Sequence, residues 1–275
     1  MLDFIKVVIL GIVEGITEWL PVSSTGHLIL VGSVLKPGLS DAFMEMFDVV
    51  IQLGAIMAVV VLYFHKLNPF SPRKSERQKM LTWQMWIKVA IASVPAAIVG
   101  LLFNDYLDAI FYKPVPVAIM LIVYGVLFII IEDKHRGKQP KVTRISQLTL
   151  KMLLWIGVFQ MLALIPGTSR SGATIVGALI IGVSRETAAE FTFFLAIPAM
   201  FGASFLKLIK FGLNFTGMQV FLLLLGTVVS FAVSILAIKF LMQYIRKHDF
   251  KVFGYYRIVL GVIVLLYFGI KTLLA

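Results

Sequence analysis

The stretch Gly11-Ile12-Val13-Glu14-Gly15-Ile16-Thr17-Glu18-Trp19-Leu20-Pro21-Val22-Ser23-Ser24-Thr25-Gly26-His27 puts two carboxylates into an apolar segment. It then breaks that segment with a proline and three consecutive hydroxyls. Glu14 and Glu18 are four residues apart, so on a helix they share one face. Like charges at that spacing destabilise a helix even in water. In an apolar segment each also costs about 2.5–3.5 kcal/mol on insertion scales. Such a pair persists only if one carboxyl is protonated or a cation, metal or arginine, sits between them. The alternative is a pair that snorkels near a membrane surface. Pro21 disfavours helix at Leu20 and interrupts the helical hydrogen-bond ladder.

The chain around this stretch has 275 residues, 60% of them hydrophobic and only 14% charged, with a mean hydropathy of +0.96. A soluble domain is about 45–50% apolar and about 25% charged. A water-soluble enzyme of this size would leave too much apolar surface uncovered, so the chain reads as an integral membrane protein. Its net charge is +11, from 25 Lys and Arg against 14 Asp and Glu. The excess lies in short loops between apolar segments, which is an orientation signal and not a nucleic-acid footprint. The absence of cysteine excludes disulfides, thiolate metal sites and cysteine nucleophiles. The apolar N-terminus is not read as a signal peptide, because it holds Glu14 and Glu18 and no small-residue cleavage site follows.

Apolar segments fall at 4–20, 28–35, 42–64, 83–103, 115–131, 152–165, 175–183, 188–212, 218–244 and 256–274. Segments 4–20, 28–35, 152–165 and 175–183 are too short to cross comfortably, since a helical span needs about 20 residues. They form two pairs, interrupted at Pro21–Gly26 and at Pro166–Thr174. Non-helical backbone at membrane depth survives only where protein buries it or water reaches it. Each pair therefore reads as a re-entrant helix–loop–helix lining a cavity. Loops 65–82, 132–151 and 245–257 are rich in Lys and Arg and should share the cytoplasmic side. That parity holds if the pair 152–183 crosses zero or two times. A weak repeat agrees: Gly11, Glu14, Ser23 and Gly26 recur as Gly157, Gln160, Ser169 and Gly172 at one fixed offset. The expected fold is all-α and membrane-embedded. It has six transmembrane spans plus two re-entrant pairs, arranged as inverted repeats of residues 1–131 and 152–275 whose loops meet near the midplane.

The two interruptions carry the chemistry. In the first, hydroxyls precede a new helix, and helix N-termini attract phosphate. Ser24 could attack phosphorus if Glu18 or His27 removed its proton; the alternative is a hydroxyl-capped helix start. In the second, Pro166-Gly167-Thr168-Ser169-Arg170-Ser171-Gly172-Ala173-Thr174, small residues free backbone amides and a guanidinium offers a two-toothed grip on phosphate. A buried arginine needs an anion, which is Glu14, Glu18 or a ligand phosphate; a purely structural Arg–Glu pair is the other reading. With inverted repeats Arg170 faces Glu14, Glu18 and Ser24. Asp48 and Gln52 line the same cavity or are packing groups. Glu45 and Glu190 read as interfacial, Lys88 and Lys239 as snorkelling, and His65, His135 and His248 as solvated. Phe191, Phe193 and Phe194 face lipid or pack.

Glu14-x-x-x-Glu18 with PVSSTGH, the stretch FDVVIQLG at 47–54, and PGTSRSGAT at 166–174 together resemble the bacterial undecaprenyl-pyrophosphate phosphatases, the bacitracin-resistance family. The resemblance runs nearly end to end; Asp48 departs from the glutamate expected in many relatives. It implies a multi-pass hydrolase of the bacterial plasma membrane. Its substrate would be undecaprenyl diphosphate and its products undecaprenyl phosphate and inorganic phosphate, recycling the lipid carrier of cell-wall precursors and conferring bacitracin resistance. It implies a divalent cation, Mg2+ or Ca2+; Glu14 and Glu18 are its candidate ligands, and Glu14 alternatively tunes Glu18. By motif position Glu14, Glu18, Ser24, His27 and Arg170 correspond to family residues tied to activity, and Ser169, Ser171 and Thr174 would contact phosphate, with Ser23 and Thr25 as further phosphate-binding candidates. The nucleophile is Ser24, or a water with Ser24 only positioning the phosphate. A homodimer is compatible with the sequence. The rival function is a transporter or flippase for a lipid phosphate, because inverted repeats with midplane pockets are also transporter architecture.

Overall fold

The computed structural model describes residues 2–35, 38–212 and 214–273. Those residues form twelve α-helices and no β-strand: α1 (Leu2–Thr17), α2 (Ser24–Leu35), α3 (Asp41–Val50), α4 (Gln52–Leu62), α5 (Phe64–Leu67), α6 (Glu76–Phe111), α7 (Pro114–His135), α8 (Leu150–Leu162), α9 (Arg170–Ile180), α10 (Arg185–Phe211), α11 (Gly217–Ile245) and α12 (Lys251–Leu273). Six helical stretches are long and apolar enough to cross a membrane: Asp41–Leu62, Glu76–Phe103 and Pro114–His135, then Arg185–Phe211, Gly217–Ile245 and Lys251–Lys271. At 1.5 Å per residue a 22-residue stretch is about 33 Å long, enough for a hydrocarbon core of about 30 Å. The helices α2, α8 and α9 have 12, 13 and 11 residues and fall short of it.

Local sequence explains where helices begin. Ser40, Thr149, Ser184 and Thr216 each cap the helix that follows by accepting a backbone amide three residues on. Pro114 starts α7 at a position where its missing N–H costs nothing. Helix boundaries run past the apolar segments of the sequence. The helix over 83–103 extends to 76–111, and those over 28–35 and 175–183 begin at Ser24 and Arg170. The polar residues before each apolar run therefore belong to the first turn of a helix, where hydropathy alone does not place them.

Helix pairing brings the two halves together. The helix α1 packs on α11, α8 on α6, and α7 on α12. The α7–α12 contact is close because it is made by glycines: a Cβ at Gly125 would lie 2.7 Å from the Gly254 carbonyl oxygen, and one at Gly254 would lie 2.7 Å from that of Gly125. Small residues at such crossings let helix backbones approach where water supplies no drive between helices. Trp19, Phe128, Phe191, Phe193, Phe194 and Phe250 are fully buried in the main core. Of the two readings for Phe191, Phe193 and Phe194, packing is the one observed.

The three basic loops gather at one end of the bundle. Lys66 pairs with Glu190 at 2.6 Å. The Lys88 ammonium donates to the carbonyls of Ile145, Ser146 and Leu148, as a snorkelling lysine does. Buried Glu132 accepts from Arg185 Nε at 2.9 Å and from the Phe250 amide at 3.0 Å. The segment before α8 and the end of α9 are both here, linked by the Lys141 amide to Gly182 O at 2.8 Å and the Ser184 amide to Val142 O at 2.8 Å. The opposite end holds the start of α1 and the segment after α2, where Gly38 N donates to Asp3 Oδ1 at 2.9 Å. Glu45 lies there too, exposed and 3.8 Å from Lys207. Arg257 is a correction to the basic-loop reading: it is fully buried inside α12 and belongs to no loop.

Candidate active site

The turn between α1 and α2 and the turn between α8 and α9 meet inside the bundle. Glu18 follows directly on α1, its amide still bonded to the Glu14 carbonyl at 3.0 Å. Ser23 then takes φ +73° and Ser169 takes φ +68°, the two non-glycine residues with positive φ among the described residues. Each directly precedes a helix, α2 or α9, and its hydroxyl accepts the amide three residues on, Gly26 N at 3.4 Å and Gly172 N at 3.2 Å. Left-handed backbone at a non-glycine residue is strained and persists where the surroundings hold it. Here it turns the chain sharply so that α2 and α9 begin beside the region between the turns, and the first-turn amides of each helix have no acceptor within their own helix.

Glu18 is the hub of that region. The Ser24 hydroxyl donates to Glu18 Oε2 at 2.7 Å, and Arg170 Nη2 donates to Glu18 Oε1 at 3.0 Å. Arg170 Nη1 is steadied by the Thr192 carbonyl at 3.1 Å. Ser171 Oγ is 3.2 Å from the Glu18 carbonyl oxygen, which ties the second turn to the first. Glu18 and Ser24 are both buried, each 7% exposed. One carboxylate therefore accepts the serine hydroxyl on one oxygen and a single arginine nitrogen, Nη2, on the other.

Glu14 is fully buried, and neither carboxylate oxygen has a hydrogen-bond partner among the described residues. The charged groups acting on it are Glu18, Asp48 and Arg170. Asp48 Oδ1 is likewise buried without a partner. Among the described residues no group of three or more His, Cys, Asp and Glu side chains is poised for a metal. A hard divalent cation does not need one, since Mg2+ is commonly held by one or two carboxylates together with substrate phosphates. An orphaned carboxylate beside Glu18 fits that donor set.

The remaining sequence candidates divide. Ser171 and Thr174 spend their hydroxyls on the protein, Thr174 Oγ1 bonding the Arg170 carbonyl and Thr192 Oγ1, each at 2.9 Å. Ser23 and Ser169 cap helices, and Thr25 is half-buried in the first turn of α2. His27 makes no hydrogen bond to Ser24. Its Nδ1 lies 2.7 Å from the Ser23 carbonyl, an acceptor, so Nδ1 carries the proton; Nε2 lies 2.7 Å from the Tyr256 hydroxyl. The ring holds the strained turn and stacks on Tyr256. Two residues next to the turns were not identified as site neighbours in the sequence: Tyr256, which went unread, and Arg257, which was counted in a basic loop. The signal for Arg257 was available, because Gly254, Arg257 and Gly261 form one stripe on α12.

A buried serine–carboxylate pair, an arginine and two converging helix N-termini, held inside a bundle of membrane-length helices, define a membrane-embedded protein built to bind and transfer a phosphoryl group. Residues 7–263 match the family described as bacitracin resistance protein BacA, and the chain belongs to that family. Curated relatives named undecaprenyl-diphosphatase align along nearly their whole length. One from Desulfitobacterium hafniense is 59% identical over 275 residues, covering 100% of this chain and 99% of the relative. One from Enterococcus faecalis is 61% identical over 265 residues, covering 95% and 96%. One from Acetivibrio thermocellus is 62% identical over 268 residues, covering 98% of each.

Proposed function

We infer that this chain is an undecaprenyl-diphosphatase of the bacterial cell membrane, a hydrolase that releases inorganic phosphate from undecaprenyl diphosphate. The relatives at about 60% identity bear that name. The single structural observation behind the reading is the Ser24–Glu18–Arg170 array, with both its hydrogen bonds at 3.0 Å or less. A carrier needs to bind and let go; a hydroxyl aimed at a buried base is what cleavage needs.

In the proposed mechanism the isoprenoid tail stays in lipid between helices and the diphosphate enters between the two turns. Arg170 and the first-turn amides of α2 and α9 neutralise the phosphate oxygens, the main requirement of phosphoryl transfer. The Ser24 oxygen bonds to the terminal phosphorus as its proton passes to Glu18. The bridging P–O bond breaks, and undecaprenyl phosphate leaves with the bridging oxygen. Water then attacks the phosphoserine and frees inorganic phosphate, returning the proton to Ser24. Glu14, with Glu18, would hold a divalent cation, Mg2+ or Ca2+, which supplies Lewis-acid neutralisation of the diphosphate when bound.

The two short helical pairs are re-entrant in this proposal, and residues 1–131 and 152–275 are inverted repeats. The reading is supported by the matched strained serines, by α1 packing on α11 as α8 packs on α6, and by the two pairs opening at opposite ends. The test is phosphate release by the purified protein in detergent, where no gradient exists. Release that requires Glu18, Ser24 and Arg170 is expected; tight binding of the lipid diphosphate without turnover would replace the enzyme by a carrier.

A further inference from the structure

Arg257 is a fully buried cation with no carboxylate partner among the described residues. Buried arginines in membrane helices ordinarily pair with an acid or a ligand. Here the guanidinium is spent on backbone carbonyls: Nε on Leu121 at 3.4 Å, Nη1 on Pro21 at 3.2 Å, and Nη2 on Met120 at 3.4 Å, Gly167 at 2.8 Å and Thr168 at 2.9 Å. Pro21 lies in the first turn and Gly167 and Thr168 in the second. One side chain therefore grips both turns, and the two shortest bonds go to the turn that carries Arg170. The neighbouring Tyr256 reaches the first turn again through His27. The tight α7–α12 crossing at Gly125 and Gly254 makes this reach feasible, and the Tyr124 ring lies under the guanidinium at 5.6 Å.

We propose that Arg257, with Tyr256 beside it, is a positioning residue for phosphoryl transfer: it clasps the two turns and sets the direction of the amides that receive the phosphate. The reason lies in the peptide plane. The C=O and N–H of one peptide unit point in opposite directions. Pinning the Thr168 carbonyl on Arg257 turns the Ser169 N–H away from it, just ahead of the first turn of α9 and beside Arg170. A positive charge on the carbonyl side also polarises that unit, which makes its N–H a stronger donor to developing negative charge. A neutral residue of the same size would fill the space and lose both effects.

The inference rests on Ser24, Glu18 and Arg170 being the site, and the test separates the two. Purified protein in detergent is assayed for phosphate release from farnesyl diphosphate, with Tm recorded for each variant. Glu18→Gln checks the site alone: if it keeps wild-type turnover, the site assignment fails whatever Arg257 does. With that loss in hand, Arg257→Lys keeps the charge and removes the fork. The expected result is kcat at least about tenfold below wild type per folded molecule with KM changed less than about threefold. Arg170→Lys and Arg257→Lys combined should lose less than the product of their separate losses, because both act through the same turn. Wild-type kcat in Arg257→Lys, a loss that disappears when activity is normalised to folded protein, or strictly multiplicative losses would each overturn the proposal. If no Arg257 variant folds, Tyr256→Phe decides: a several-fold fall in kcat at unchanged Tm supports the clasp, and unchanged kcat overturns it.

Discussion

Replacing Glu18 by glutamine removes one proton-accepting oxygen from the centre of the site while keeping its shape. In the wild-type chain Oε1 receives Arg170 at 3.0 Å and Oε2 receives the Ser24 hydroxyl at 2.7 Å. In Glu18→Gln the amide oxygen can still accept from Arg170, but the amide nitrogen then faces Ser24 as a donor. Ser24 keeps its proton, and its oxygen is turned towards the wrong partner. A positioned general base contributes about 10²–10⁴-fold. At about 1.36 kcal/mol per decade, the barrier should rise by roughly 3–5 kcal/mol. Folding should suffer too, because Arg170 loses its counter-charge; breaking a buried pair outright costs about 3–5 kcal/mol, and retention of one hydrogen bond keeps the cost below that. The assay is phosphate release per folded molecule, with Tm measured on the same preparation. A folded Glu18→Gln protein within fivefold of wild-type kcat would refute the assignment of Glu18 as base.

Four further outcomes are expected. Ser24→Ala should bring phosphate release to background while the lipid diphosphate still binds, and quenched wild-type enzyme should yield a phosphoserine at Ser24; wild-type turnover in the alanine variant would leave water as the nucleophile. EDTA should abolish release and Mg2+ or Ca2+ should restore it, with Glu14→Gln raising the cation concentration needed; insensitivity to EDTA would remove the cation. Glu132→Ala should lower Tm, since the buried Phe250 amide loses its acceptor, at a cost of about 1–3 kcal/mol, and half-exposed Arg185 loses its partner, yet release per folded molecule should stay unchanged. Gly54→Ala should lower Tm as well, because the new methyl would collide with the Thr227 carbonyl where α4 crosses α11, an overpacking cost of about 1–3 kcal/mol or more.

Much of the fold was legible because lipid imposes a blunt rule: an apolar run of sufficient length makes a membrane-length helix, and a run broken at Pro21 or Pro166 makes two short ones. The candidate site was legible for the same reason, since Glu14, Glu18 and Arg170 stand out against apolar neighbours. What could not be read was partnership. The sequence offers His27 as readily as Glu18 for the base at Ser24, and only the geometry gives Ser24 to Glu18 and His27 to the Ser23 carbonyl and Tyr256. Arg257 was misread through its nearness to Lys247 and Lys251, because a loop assigned by charge density takes in the first turns of the helix beyond it. Ser171 and Thr174 look like phosphate ligands in a motif, but their hydroxyls sit on the inner face of α9, where protein acceptors claim them.

The Glu18–Arg170 bond carries one last implication. At rest the two groups cancel, so the interior of the bundle holds a nearly electroneutral couple there in place of a bare anion trap. In the proposed mechanism an arriving diphosphate shares the guanidinium with Glu18, so drawing Arg170 towards the phosphate releases a carboxylate oxygen beside the serine hydroxyl. In that mechanism, occupancy by the lipid headgroup and arming of the base are one event. Without a headgroup the carboxylate remains occupied by its own arginine.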